Sequence, residues 1–115
     1  VPRRDAIFNA QRAALFVAAV DEGRWETIGE AMRDRLHQPY RESLLPGLSE
    51  ALSIHAGGPL LGVALSGAGS AVLALATGDF EEIGGRIADC FERHGVGASV
   101  RVLDVDPNGR RVLEP

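Results

Sequence analysis

Two stretches of this 115-residue sequence bring together side chains or backbone suited to chemistry. The first is Asp34-Arg35-Leu36-His37-Gln38-Pro39-Tyr40-Arg41, a polar cluster beside an aromatic where a helical pattern breaks. The planar guanidinium of Arg41 matches the two oxygens of a carboxylate and can grip one bidentately. The alternative is a surface arginine paired with Asp34 or Glu42. The second stretch is Leu65-Ser66-Gly67-Ala68-Gly69-Ser70. Its glycines let backbone N–H groups converge on an anion, or let the loop pack closely on another loop. A tight turn between two buried strands recruits Gly and Ser equally well.

Other candidates are weaker. His37 has the chemistry of a general base or metal ligand, yet no second His or Cys stands at ligand spacing, which favours a structural or surface histidine. His55 and His94 fall at the ends of expected helices. Asn9 and Arg12, at i and i+3, make either a polar patch on the first helix or two solvated side chains. Ser66 lacks the G-x-S-x-G elbow of a serine nucleophile. Cys90 sits mid-helix beside Phe91 and reads as packing. No catalytic residue and no metal site is assigned.

Composition narrows the field. The net charge of -4 and pI near 5.3 argue against a nucleic-acid partner, which requires clustered basic charge. All 12 basic residues are Arg, so neither a Schiff-base lysine nor a phosphate-loop lysine is available. A lone Cys90 cannot form an internal disulfide, which suits a reducing compartment, the cytoplasm. Apolar runs are broken by Gly or charge too early to span a bilayer, and no export signal opens the chain. The length fits one domain with a single core. A start at Val1 and an end at Glu114-Pro115 suit a segment of a longer protein.

The elements that must position these residues follow from periodicity. Ile7, Phe8, Ala14, Leu15, Ala18 and Ala19 predict an amphipathic helix over 5–22, stopped by Gly23. Trp25, Ile28, Met32 and Leu36 predict a second helix, followed by a turn or loop from 37 to 47. A third helix begins near Pro46 and ends at Gly57-Gly58. Leu60 to Leu65 and Ala71 to Ala76 read as buried strands around a glycine turn. Thr77-Gly78-Asp79 caps a fourth helix carrying Phe80, Ile83, Ile87 and Phe91. Alternation over 98–105, the turn Pro107-Asn108-Gly109 and the run 111–113 predict a closing β-hairpin. The sum is an α+β domain, helices packed on one face of a mainly antiparallel, four-stranded sheet.

The order of Val1-Pro2-Arg3-Arg4-Asp5-Ala6-Ile7-Phe8-Asn9, the His37-Gln38-Pro39-Tyr40-Arg41 pentapeptide, Leu45-Pro46-Gly47 and Ala64-Leu65-Ser66-Gly67-Ala68-Gly69 resembles the carboxy-terminal half of homoserine kinases of the GHMP superfamily. The pentapeptide followed by Leu-Pro-Gly carries the resemblance to homoserine kinases; the Ser-Gly-Ala-Gly loop is similar to the third motif of the whole superfamily. The resemblance implies a ferredoxin-like α/β sandwich over residues 1–115. It also implies transfer of the ATP γ-phosphoryl group, with Mg²⁺, to the hydroxyl of L-homoserine. Arg41 matches the family arginine that holds the substrate carboxylate, with His37 beside it. The loop Ser66, Gly67, Ala68 and Gly69 is then expected to close on an amino-terminal ATP-binding domain that this chain lacks. The chain alone is expected to be inactive, and its parent a homodimer. Ser70-Ala71 stands where the family usually has Pro followed by Ser or Thr, a departure that bears on loop rigidity and on any hydroxyl contact from position 71. Two rival readings remain, another GHMP small-molecule kinase and a non-catalytic amino-acid-binding module.

Overall fold

An apolar residue recurs on nearly every turn between Arg3 and Asp21, and this span forms α1 (Arg3–Asp21) in the structure, a computed structural model that describes residues 1–114. Pro2 stands just before it and its carbonyl accepts from the N–H groups of Asp5 and Ala6, so a residue without a donor of its own starts the helix. The other end closes as expected at Gly23, which takes φ +66°. There Gly23 N–H donates to Val20 O and Arg24 N–H to Ala19 O, the paired bonds of a Schellman cap.

The second expected helix is cut short. A single 3-10 turn at Trp25–Thr27 leads into α2 (Ile28–Ala31), and helix ends well before Leu36. The cause is Asp34, whose carboxylate accepts from the N–H groups of Leu36, His37 and Gln38 and offers the backbone an alternative to helix continuation. The stretch expected as a loop contains a short helix, α3 (Gln38–Glu42), with Pro39 in its first turn, where a missing N–H costs nothing.

Gly47 opens α4 (Leu48–Leu52) at φ +92°. A Cβ at Gly47 would lie 2.6 Å from Cys90 O and 2.9 Å from Phe91 Cα, so glycine is what lets this corner touch the backbone of the last helix. Leu48 and Ala51 behind it are fully buried.

The glycine turn joins β1 (Leu60–Ser66) to β2 (Ala71–Ala76), antiparallel, with Ser66 opposite Ala71, Leu65 opposite Val72 and an irregularity between Leu60 and Gly62. Next comes α5 (Phe80–Glu92), closed by a second Schellman cap at Gly95, where Gly95 N–H donates to Glu92 O and Val96 N–H to Phe91 O. Asp79 takes the N-cap position but at φ 50° and without a side-chain bond, so Glu81 and Glu82 supply the negative charge that suits a helix start. The helices α2 and α4 pack against β1, and α5 packs against α4 and β2. Phe8, Ala19, Ile28, Ala31, Leu48, Ala51, Leu60, Ile83 and Cys90 form the buried core.

The four-stranded expectation is not met. Among the described residues the sheet has two strands, and 96–114 forms neither a helix nor a strand. The expected turn chemistry is in place, since Asp106 Oδ1 accepts from Asn108 N–H at 2.9 Å and Gly109 takes φ +65°. The ladder is not, because a two-stranded hairpin needs an apolar face to lie on. Here Leu103 and Val105 are more than four-fifths exposed, while Val100 instead seats its methyls against Gly84 on α5. No described helix is long and apolar enough to cross a membrane.

Candidate functional site

The two stretches singled out by chemistry meet. His37 Nε2 lies 3.0 Å from Gly67 O, and Leu65 N–H donates to Gln38 Oε1 at 2.6 Å. Because a carbonyl only accepts, Nε2 of His37 carries the proton in this contact. A third touch comes from Leu45, whose Cδ1 would stand 3.0 Å from a Cβ at Gly69. Gly67 and Gly69 both take positive φ, 58° and 119°, so the loop is the tight β1–β2 turn and also a strongly curved run of backbone.

Arg41 lies between these anchors. Leu45 N–H closes onto Arg41 O at 3.1 Å and Arg41 N–H onto His37 O at 3.2 Å, so 37, 41 and 45 succeed one another at one-turn spacing. Residues so spaced share a face, and its two ends touch the glycine loop. Among the described residues Arg41 enters no ion pair; neither Asp34 nor Glu42 neutralises it. By that spacing the half-buried Arg41 lies on the same face as His37 and Leu45.

Asp34 explains why that face holds its shape. Oδ1 accepts from the Asn9 side-chain amide and from Leu36 N–H (3.0 Å), and Oδ2 accepts from His37 N–H (2.7 Å) and Gln38 N–H. Asn9 Oδ1 in turn accepts from Arg35 N–H at 2.9 Å. Burial alone would raise the carboxyl pKa, but the bonds from Asn9, Gln38, Leu36 and His37 outweigh it and hold Asp34 below the usual Asp value.

Residues 16–95 match the family model described as GHMP kinases C terminal. The chain belongs to the GHMP kinase family. It is 44% identical over 109 residues to a homoserine kinase of Persephonella marina, covering 95% of this chain and 36% of that one. To a homoserine kinase of Saccharomyces cerevisiae it is 43% identical over 116 residues, covering 96% of this chain and 32% of the other. The crystal structure of homoserine kinase from Cytophaga hutchinsonii superposes with a TM-score of 0.73 at 26% identity, over 84% of this chain and 31% of that chain. The chain thus spans about a third of the length of the curated relatives it matches.

Within this GHMP kinase segment the Asn9 and Arg12 pair divides. Asn9 joins Asp34, whereas Arg12 reaches Glu30 at 2.8 Å and stacks over the Phe8 ring at 4.2 Å, where Arg35 also stacks at 3.8 Å. Neither is a free solvated side chain. His94 Nε2 lies 3.2 Å from Glu50, on the α4–α5 side, and His55 is exposed. Cys90 is buried, as packing requires. Among the described residues no three His, Cys, Asp or Glu side chains converge as metal ligands. Sequence reasoning offered Asp34 only as a possible partner of Arg41 and gave Gln38 no separate role. The available signal was an acidic residue just ahead of a proline-started turn, the usual place for a side chain that caps backbone N–H groups.

Proposed function

We propose that this chain is the substrate-side, carboxy-terminal part of an ATP-dependent kinase that phosphorylates the side-chain hydroxyl of L-homoserine, giving O-phospho-L-homoserine for threonine biosynthesis. The observation that carries this reading is Arg41, a cation without an ionic partner among the described residues, held between two anchors on the glycine loop. The homoserine kinases among its relatives support the choice of acceptor.

In this reading Arg41 grips the substrate carboxylate bidentately and so fixes where the hydroxyl at the other end can lie. Phosphoryl transfer gains most of its rate from such positioning and from charge stabilisation. In the same reading His37, whose Nε2 donates to Gly67 O, lines the substrate side beside Arg41, and the groups that contact the substrate ammonium come from the amino-terminal domain. The Ser66–Gly69 turn closes against the phosphate-binding loop of an amino-terminal domain that also holds ATP and Mg²⁺. The parent would act as a homodimer in the cytoplasm.

The test is ADP release by the full-length protein with L-homoserine, wild type against Arg41→Ala. Removing a charged bidentate contact is expected to lower kcat/KM for homoserine by about 100-fold, with the ATP KM little changed. Near-normal activity in Arg41→Ala removes the carboxylate role. Wild-type protein without homoserine-dependent turnover points instead to another acceptor or to a non-catalytic binding module. The 115-residue segment alone is expected to show no turnover in the same assay.

A further inference from the structure

Arg41 would be useless as a clamp if α3 could rotate or slide against the glycine loop. Nothing in α3 itself prevents this, for it has five residues, and a helix that short is unstable without outside support. The support comes from one carboxylate. Both oxygens of Asp34 accept two bonds each, so its acceptor capacity is directed in two pairs. One pair ties α1, through Asn9, to Leu36; the other pins His37 and Gln38, the two residues whose side chains hold Gly67 O and Leu65 N–H.

We propose that Asp34 is the positioning residue of this site. Anchored to α1 by Asn9, its carboxylate sets the start of α3 and thereby fixes Arg41 and the Ser66–Gly69 turn relative to each other. It touches neither substrate nor loop, and acts only through the backbone of 36–38. Its kinetic consequence rests on the homoserine kinase reading above; its structural consequence does not.

The charge and the shape of Asp34 can be separated. In Asp34→Asn the side chain keeps one acceptor oxygen, and its amide hydrogens face two backbone donors instead of accepting from them. The reciprocal pair Asn9→Asp/Asp34→Asn preserves net charge, restores a hydrogen bond between positions 9 and 34 with donor and acceptor exchanged, and still offers an acceptor to Arg35 N–H.

Two readouts on the full-length protein test the proposal. In Asp34→Asn the KM for L-homoserine is expected to rise about tenfold or more while the ATP KM stays within about twofold, because one positioning group is lost and the nucleotide side is untouched. Amide hydrogen exchange at Leu65, whose N–H is held by Gln38, should accelerate in Asp34→Asn and recover, with the homoserine KM, in the reciprocal pair. A homoserine KM unchanged in Asp34→Asn overturns the proposal, as does a parallel rise of both KM values with Leu65 still protected. Asn9→Ala carries the same test should Asp34→Asn fail to fold. It removes one donor of four and is expected to raise the homoserine KM severalfold, and an unchanged value again overturns the proposal. If the wild type does not phosphorylate homoserine, the functional reading falls, and Leu65 exchange still decides the role of Asp34.

Discussion

At the scale of single residues, two positions carry predictions of opposite kinds. Gly47 combines φ +92° with a virtual Cβ 2.6 Å from Cys90 O, a backbone atom that cannot swing aside. Gly47→Ala is therefore expected to destabilise the protein by about 3 kcal/mol, strain and overlap together, seen as a lower thermal midpoint. Gly57→Ala is the contrast. Nothing lies within 4 Å of its added methyl and its φ is not positive, so the expected change is less than about 1 kcal/mol. Asp34 carries a pH prediction. Its folded pKa is depressed, so its stabilisation is fully present above the unfolded Asp value and is lost as pH falls through the folded one. Acid titration should leave Leu65 amide protection flat between pH 5 and 8 and weaken it only below about pH 4; a loss near neutral pH would assign the transition to another group.

At the scale of elements, α5 and the segment after it behave as separate parts. Gly84 is the notch in α5 that admits Val100, whose Cγ1 would be 2.4 Å from a Cβ there. Gly84→Leu should expel the 96–114 segment from α5, and limited proteolysis should then cut it faster while leaving α1 to α5 intact. The difference between what was and was not legible in the sequence lies in the range of the interactions. Gly23 and Gly95 stop helices through bonds to residues at most five positions away, so local pattern suffices to place α1 and the end of α5. The strands around Gly67 and Gly69 pair across 5 to 16 positions, and the glycine turn that joins them is itself marked by local pattern. The end of α2, by contrast, is decided by Asp34, which is itself held by Asn9 from 25 positions earlier, a bond that no periodicity reports. Alternation at Val100, Val102 and Asp104 is a true feature of extended chain, but a ladder also needs a neighbouring edge, and that information lies outside the segment. For the site, Arg41, His37 and the glycine loop were visible by residue type, while their joining through Gln38 and Leu65 required the fold.

At the scale of the whole molecule the chain is more open than its length implies. Its accessible surface of 8222 Å² exceeds the roughly 6,100 Å² of a compact monomer of this mass. Its radius of gyration, 15.1 Å, exceeds the expected value of about 13 Å. Part of the excess is the 96–114 segment, and part is the outer face of α1, where Ile7, Val17 and Val20 are 48%, 68% and 45% exposed. An excess of about 2,000 Å² is the size of a substantial protein interface. When the segment is produced alone, concentration-dependent self-association is expected on size-exclusion chromatography with light scattering. The full-length protein should show one defined state. A monomer at all concentrations for the segment alone would mean that this surface is tolerated by water.

The bond from Leu65 N–H to Gln38 also has a bearing on assembly. Leu65 stands opposite Val72 in the ladder, yet its donor is taken by a side chain from α3, so it points away from β2 toward the outer edge of β1. An edge amide occupied in this way cannot recruit an incoming strand. At that end the sheet can grow in one direction only, from β2. Gln38 therefore occupies one edge donor of β1 as well as tying the loop, and Gln38→Ala would free that donor for an incoming strand.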